Sequence, residues 1–276
     1  MSNQLTVIVD NRAEKPYQKE HGFSLLIEWN GKRILFDTAQ GKAFFHNAEL
    51  LGISLEQLDA LILSHGHYDH GGNLAAVLEK NPHMPVYAHP DCVIDRYSLH
   101  KDGKIVPVNL SEKDRKALLS HPEESLHWCR EAEEVFPGLW FSGSIPRIHE
   151  DEDTGGSFFL EKEMVHTDSI PDDISICLEY EDHLSLICGC CHAGVRNTID
   201  RVQAIRNQKS VEFLMGGFHL VHAGEKRISD TISFIDDHQI RRIIPAHCTG
   251  ELAMKRFKQE LSGKVSFGLA GLKLPL

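Results

Sequence analysis

Three runs near the amino terminus, "LTVIVD" (5–10), "FSLLIEW" (23–29) and "KRILFD" (32–37), concentrate β-branched and aromatic residues. Each predicts a strand. The turn "NGK" joins the last two into a hairpin, so the three read as a meander. "LEQLDALILS" (55–64) then predicts a short buried strand, and "HGGNLAAVLEK" (70–80) a helix, because Leu74, Val77 and Leu78 fall at helical spacing. Residues 91–150 change character, with few β runs and many charges. Within them "SEKDRKALLS" (111–120) and "EESLHWCREAEEVF" (123–136) are spaced like helices, which predicts a helical and loop insertion in a single domain spanning 1–276. Beyond it "ISICLEY" (174–180) and "LSLICGC" (184–190) predict a second hairpin, and "VEFLMGG" (211–217) and "RRIIPAH" (241–247) two later strands. The helical runs "VRNTIDRVQAIR" and "ISDTISFIDDH" lie between them. Two sets of strands with interleaved helices make this an α/β chain and suggest a sandwich.

Composition narrows the class. With 276 residues, 41% hydrophobic and 25% charged, the chain can bury a sizeable core. It has no apolar run near the ~20 residues that span a bilayer. The start, "MSNQLTVIVDN", shows no leader pattern, so the expectation is a cytoplasmic protein without a membrane partner. A net charge of −11 and the lack of a Lys/Arg block argue against nucleic acid and leave a small molecule as the expected partner. Seven cysteines suit a reducing compartment. The unusual number is eighteen histidines, since imidazole is a common metal ligand and an acid or base near neutrality.

Those histidines are densest in "LILSHGHYDHGGNL" (61–74). At the end of an extended run His65 and His67 point to one side, so both imidazoles can reach one cation at about 2.0–2.1 Å. Asp69 and His70 follow where the chain turns into a helix and can face a second cation. A His-x-His pair alone is expected by chance in so histidine-rich a chain. Four donors between a buried strand and a helix are not.

"SHGHYDHGG" resembles the His-x-His-x-Asp-His signature of the metallo-β-lactamase-fold superfamily. The resemblance implies a four-layered αββα sandwich with metals held by His65, His67, Asp69 and His70 and by histidines from later strand ends. "IIPAHCTG" supplies His247 as the final ligand, and "LICGCCHAG" supplies His192 as the third ligand of the first site. Many relatives carry a histidine where this chain has Ser169 and a bridging aspartate where it has Cys190. His192 then provides the nitrogen from a different position, and a Cys190 thiolate or the carboxylate of Asp168, Asp172 or Asp173 is a further candidate ligand, solvent alone being the other bridge. Ligation rich in nitrogen favours two zinc ions, with iron or manganese, or a single ion, as alternatives. His219, in "GGFHL", is the candidate proton donor or substrate contact beside the metals.

Further phrases, among them "VDN", "EHGFSLLIE", "ILFDTAQ", "IPR", "DDIS", "GCCHAGVRNTI" and "PAHCTG", run in order along nearly the whole chain. They resemble the branch of metal-dependent hydrolases similar to the archaeal dihydropterin-ribofuranosylaminobenzene phosphate synthases. In that branch a "GCSHAG"-type phrase is kept, which favours His192 over Ser169. The resemblance implies either hydrolysis of a phosphoester, thioester or lactone, with Asp69 and His219 as catalytic residues, or transfer of a dihydropterin-methyl group to an aromatic amine. A non-catalytic metal-containing sensor is the third alternative. Candidate substrate contacts are Asn11, Glu20 and His21 in the amino-terminal loops and Arg147 and Arg196 further on.

Overall fold

A computed structural model describes residues 3–276. Its contacts group the chain into two compact units. The first takes the chain up to Arg96, then Pro107–Cys129 and Leu269–Leu276. The second takes Tyr97–Val106 and Arg130–Gly268. Among the described residues no helix is long and apolar enough to cross a membrane.

The first unit is built on a seven-stranded sheet in the order Lys273–Pro275, Gln4–Val9, Ser24–Trp29, Lys32–Phe36, Ala60–Ile62, Val86–Ala88, Leu126–Trp128. The predicted meander is antiparallel, with Leu26 opposite Thr6 on one side and Leu35 on the other. From Lys32–Phe36 onward the pairing is parallel. Parallel neighbours need a crossover, and helices Lys42–Leu50 and Leu74–Lys80 lie in two of them. Alternate strand residues, such as Leu61 with Leu63 and Val86 with Ala88, meet Phe44, Ala48, Leu74 and Val77 of those helices in one buried cluster.

The second unit repeats the plan in a six-stranded sheet, ordered Arg242–Ala246, Ser210–Gly217, His183–Cys188, Ser175–Glu179, Leu139–Phe141, Glu133–Phe136. Ser175–Glu179 and His183–Cys188 form the expected antiparallel hairpin. The next two pairings are parallel and are crossed by helices Val195–Ile205 and Glu225–Asp237. Val195, Ile199, Val202, Ile228, Ile232 and Ile235 pack with Leu184, Leu186, Leu214 and Ile243 of the strands. A small sheet of Phe158–Phe159, Tyr97–Leu99 and Ile105–Pro107 accompanies it.

The run 123–136 departs from its helical expectation. It forms a short 3-10 turn at Glu123–Ser125 followed by strands Leu126–Trp128 and Glu133–Phe136. Its backbone finds partners in neighbouring strands instead of in itself: Leu126–Trp128 pairs with Val86–Ala88, and the Cys129 amide continues that ladder to the Ala88 carbonyl at 2.9 Å. Glu133–Phe136 pairs with Leu139–Phe141 across a short turn. Sheet pairing outweighs the weak helical preference of a short, charge-rich run. Two helices had no clear signal. Lys42–Leu50 places Asn47 at a buried position, and Glu251–Glu260 buries only Ala253, Met254 and Phe257.

Asn47 explains its own burial. Its side-chain nitrogen donates to the carbonyls of Ile8 and Gln18, both at 2.8 Å, and its oxygen accepts from the Gln18 amide at 2.9 Å. It joins the first crossover helix to the first strand and to the loop that follows. Replacing Asn47 by Ala leaves a buried carbonyl unmatched, so a loss of about 1–3 kcal/mol of unfolding free energy is expected from denaturant titration. A smaller change would mean that water replaces the amide.

Candidate metal centre

Predicted donors lie just beyond the carboxyl ends of parallel strands in both units. In the first unit, strand Ala60–Ile62 runs through Leu63 and Ser64 into His65. His65 and His70 are fully buried, and His67 and Asp69 nearly so, at 5% and 8% exposure. The His65 ring centroid lies 4.5 Å from that of His67 and 4.3 Å from that of His70. Three imidazoles are thus gathered in one place by the six residues 65–70. Gly66 allows the bend between them, since a Cβ there would stand 2.0 Å from the Cys92 carbonyl oxygen.

Asp37 and Ser64 fix these rings. Asp37 follows strand Lys32–Phe36, and its carboxylate accepts from the Ser64 amide and hydroxyl, both at 2.7 Å. The same carboxylate is 2.6 Å from His70 Nδ1, and the Ser64 hydroxyl is 2.9 Å from His65 Nδ1. A carboxylate at Nδ1 holds the proton there and turns Nε2 into the ligand atom, the usual support for a metal-binding histidine. Asp69 takes a different neighbour: its Oδ2 lies 3.2 Å from Nε2 of the exposed His21. Burial, helped by the charge of Asp69, raises the phenol of the adjacent Tyr68 above its ordinary pKa.

In the second unit His192 follows strand His183–Cys188, His219 follows Ser210–Gly217 and His247 follows Arg242–Ala246. His192 is fully buried, and its Nδ1 is 2.8 Å from the Thr154 carbonyl, again directing Nε2 outward from that bond. The rings of His192 and His219 are 4.1 Å apart, and Phe158 meets both edge-on. His247 opens a 3-10 turn with φ of +46°, and Thr249 ties that turn down by donating to the Ala246 carbonyl at 2.7 Å. Burial pushes Asp173 up to about 6, against the hydrogen bonds from the Ala193 and His192 amides and the nearby Arg147 guanidinium. Burial also raises the Cys248 thiol, but a hydrogen bond with Cys190 and the proximity of His219 and His247 outweigh it and bring the thiol well below its ordinary pKa.

The candidate substrate contacts are placed less uniformly. Glu20 accepts from the amides of Gly41 and Ala43 at 2.8 and 3.2 Å and so caps helix Lys42–Leu50. Asn11 accepts from the Gly22 amide at 3.2 Å. Arg147 donates to the carbonyls of Ser169 and His192 at 2.6 and 2.8 Å and to that of Glu152 at 3.3 Å. It clasps the loop that carries His192. Arg196 pairs with Asp151 at 2.5 Å and Glu152 at 3.5 Å. Among the five, His21 reaches the carboxylate of the predicted ligand Asp69 through its ring. Among the alternative ligands, Asp168 accepts from the Ile170 amide at 2.8 Å and Asp173 from that of Ala193 at 2.8 Å, whereas the Ser169 side chain is exposed.

Sequence reasoning missed Asp37 and Glu152. Asp37 lay inside the quoted phrase "ILFDTAQ", and its position directly after a strand was the available signal. Glu152, 2% exposed, accepts from the amides of Arg196 and Asn197 at the start of helix Val195–Ile205, but it sits in a loop with no pattern.

Residues 18–190 match the model of the metallo-beta-lactamase superfamily, and the chain belongs to that superfamily. A protein of Methanocaldococcus jannaschii named 7,8-dihydropterin-6-methyl-4-(beta-D-ribofuranosyl)-aminobenzene-5'-phosphate synthase is 32% identical over 89% of this chain and 86% of its own length. Hydroxyacylglutathione hydrolase of Salmonella typhi is 33% identical over 47% of this chain and 50% of its own. Among solved structures, a metal-dependent hydrolase of the beta-lactamase superfamily superposes with a TM-score of 0.83 at 26% identity, covering 99% of each chain. Zinc-bound PqqB from Methylobacterium extorquens shares the fold, with a TM-score of 0.62 at 12% identity over 99% of this chain and 100% of its own. The metallo-β-lactamase fold expected from the opening motif is the fold of this chain.

Removing the Asp37 carboxylate tests its support of His70. Asp37→Asn is expected to weaken metal affinity roughly 10- to 100-fold, measured by competition with a chromophoric chelator. An affinity equal to wild type would show that His70 needs no carboxylate behind it.

Proposed function

We propose that this chain is a metal-dependent hydrolase that acts on an ester-type small molecule, a phosphoester, thioester or lactone. The observation that carries the reading is the pair of held imidazoles: Nδ1 of His70 is engaged by Asp37 and Nδ1 of His192 by the Thr154 carbonyl, each at the end of a parallel strand. Buried histidines anchored through one nitrogen suit ligation through the other. The proposed ligands are His65, His67, Asp69, His70, His192 and His247, for one or two transition-metal ions, with zinc favoured over iron or manganese by the nitrogen-rich set.

A bound divalent cation supplies Lewis acidity and lowers the pKa of a water from 15.7 toward about 7. The chain's own residues do the rest. Asp69, with one oxygen 3.2 Å from His21, is the acidic member of the set and the acceptor that orients an attacking water. His219 is the donor toward a leaving group or oxyanion. His21, more than half exposed, is the residue proposed to meet the substrate first. The anionic chain as a whole, with net charge −11, selects no polyanion, which fits a small substrate.

The second reading is a transferase, favoured by the Methanocaldococcus jannaschii relative named as a synthase. Here the nitrogen of an aromatic amine bonds to a pterin methylene carbon while the carbon–oxygen bond to diphosphate breaks and the diphosphate leaves with its electron pair. The amine proton passes to a base such as Asp69 or solvent.

Metal analysis of the purified chain is expected to find one to two equivalents, lost in the triple variant His65→Ala/His67→Ala/His247→Ala. Stoichiometric metal in that variant would sink the ligand assignment. A panel of aryl phosphodiesters, thioesters, lactones and dihydropterin diphosphate with its amine acceptor then separates the reactions. Turnover without amine supports hydrolysis, and strict dependence on the amine supports transfer.

A further inference from the structure

In the first unit, helices Leu74–Lys80 and Glu112–Leu119 are joined at their starts, where Asp114 Oδ1 accepts from the Ala75 amide at 3.0 Å. A cavity of about 350 Å³ lies at this junction, lined by Asn73, Ala76, Ser111 and Lys113 and also by Gln40 and Tyr68. All of these residues belong to the first unit. The volume is at the small end of the range for ligand sites.

The walls of the cavity are tied down. Asn73 donates through Nδ2 to the carbonyls of Thr38 and Gly41 at 2.8 and 3.2 Å, and Gln40 donates through Nε2 to the His21 carbonyl. Gly72 lets these segments approach, since a Cβ there would stand 2.8 Å from Gln40 Cα. Each carboxamide is thereby oriented and its nitrogen used. The oxygens are left over: Oδ1 of Asn73, a residue only 8% exposed, and Oε1 of Gln40 accept no hydrogen bond among the described residues. Among those residues the half-buried Tyr68 phenol makes none either, and the exposed Lys113 ammonium has no ion pair. Water alone would fill an ordinary surface hollow. Here fixed acceptors, a cation and an aromatic side chain line one space, the combination that small-molecule sites use.

Simpler occupants do not match these groups. A metal ion finds no unspent carboxylate, because Asp114 gives one oxygen to the Ala75 amide and the other to the Ser111 hydroxyl. A free anion such as phosphate meets a single ammonium with Glu112 beside it, on a chain of net charge −11. Unspent carboxamide oxygens call for N–H donors instead. We propose that the cavity is a second small-molecule site, built from none of the proposed metal donors, that takes a free amino acid. Its ammonium donates to Asn73 Oδ1 and Gln40 Oε1, its carboxylate pairs with Lys113, and its side chain lies against Tyr68 and Ala76. A zwitterion supplies both charge-assisted partners at once and adds no net charge to an anionic chain. The site does not rest on the hydrolase reading.

Titration calorimetry of the full chain with the common L-amino acids at millimolar concentration tests the site. At least one is expected to bind saturably, at one equivalent. Lys113→Ala, a change at an exposed side chain, is expected to weaken that binding roughly tenfold, and so is exchange of the amino acid for its deaminated carboxylate. Ala76→Phe, which fills the cavity, is expected to abolish binding, with Lys113→Ala serving alone if that variant fails to fold. In His65→Ala/His67→Ala the affinity is expected to equal wild type. Three results overturn the proposal: no saturable heat with any amino acid, equal affinity in wild type and Lys113→Ala, or loss of binding in the histidine pair, which would put the amino acid on the metal.

Discussion

The parallel pairing of strand Lys32–Phe36 with Ala60–Ile62 is the constraint on which the first donor set depends. Phe36 lies opposite Ile62, so the next residues, Asp37 and Leu63–Ser64, leave the sheet side by side. The Asp37 amide donates to the Ile62 carbonyl at 3.0 Å, and the carboxylate then closes on Ser64 and His70. A register slip of one residue would turn Asp37 away and leave a buried carboxylate and a buried imidazole unmatched, at a cost of several kcal/mol. Sheet register and ring orientation are therefore one specification. Burial of the hydrophobic strands stabilises the register, and the register aims the imidazoles.

The same architecture appears twice with different fixings. In the first unit a side-chain carboxylate engages the histidine; in the second a backbone carbonyl, that of Thr154, does so. Carboxylates nevertheless organise both. Glu20 and Glu152 each accept from two amides at the start of a crossover helix, where the helix dipole favours negative charge. The loops that carry Glu20 and Glu152 are thus tied to helix beginnings, and those helices pack on the sheets.

Legibility followed physical range. Strands whose apolar content is local, such as Gln4–Val9 and His183–Cys188, could be seen in the sequence, and so could the compact group of His65, His67, Asp69 and His70. Leu126–Trp128 could not, because it owes its conformation to Val86–Ala88, about forty residues away, and Glu133–Phe136 could not, because its charged residues hide a strand whose partner, Leu139–Phe141, follows directly. The charge of Arg147 and Arg196 suggested anion binding, but sequence does not show whether a guanidinium meets a ligand or a carbonyl of its own chain. The structure uses both to hold loops, Arg147 through three carbonyls and Arg196 through two carboxylates. Asp37 had a visible place but no visible partner, since Ser64 and His70 lie some thirty residues later.

Arg147 and Thr154 both belong to the long connection between strands Leu139–Phe141 and Ser175–Glu179, and both act on His192. In most enzymes of this size such a connection is where substrate preference drifts over evolutionary time, because loops accept change cheaply. Here the connection also sets the tautomer and anchorage of a histidine. Changes that reshape it are consequently filtered by retention of that histidine's geometry, so the freedom of the loop to vary and the anchorage of His192 are bound to the same few residues.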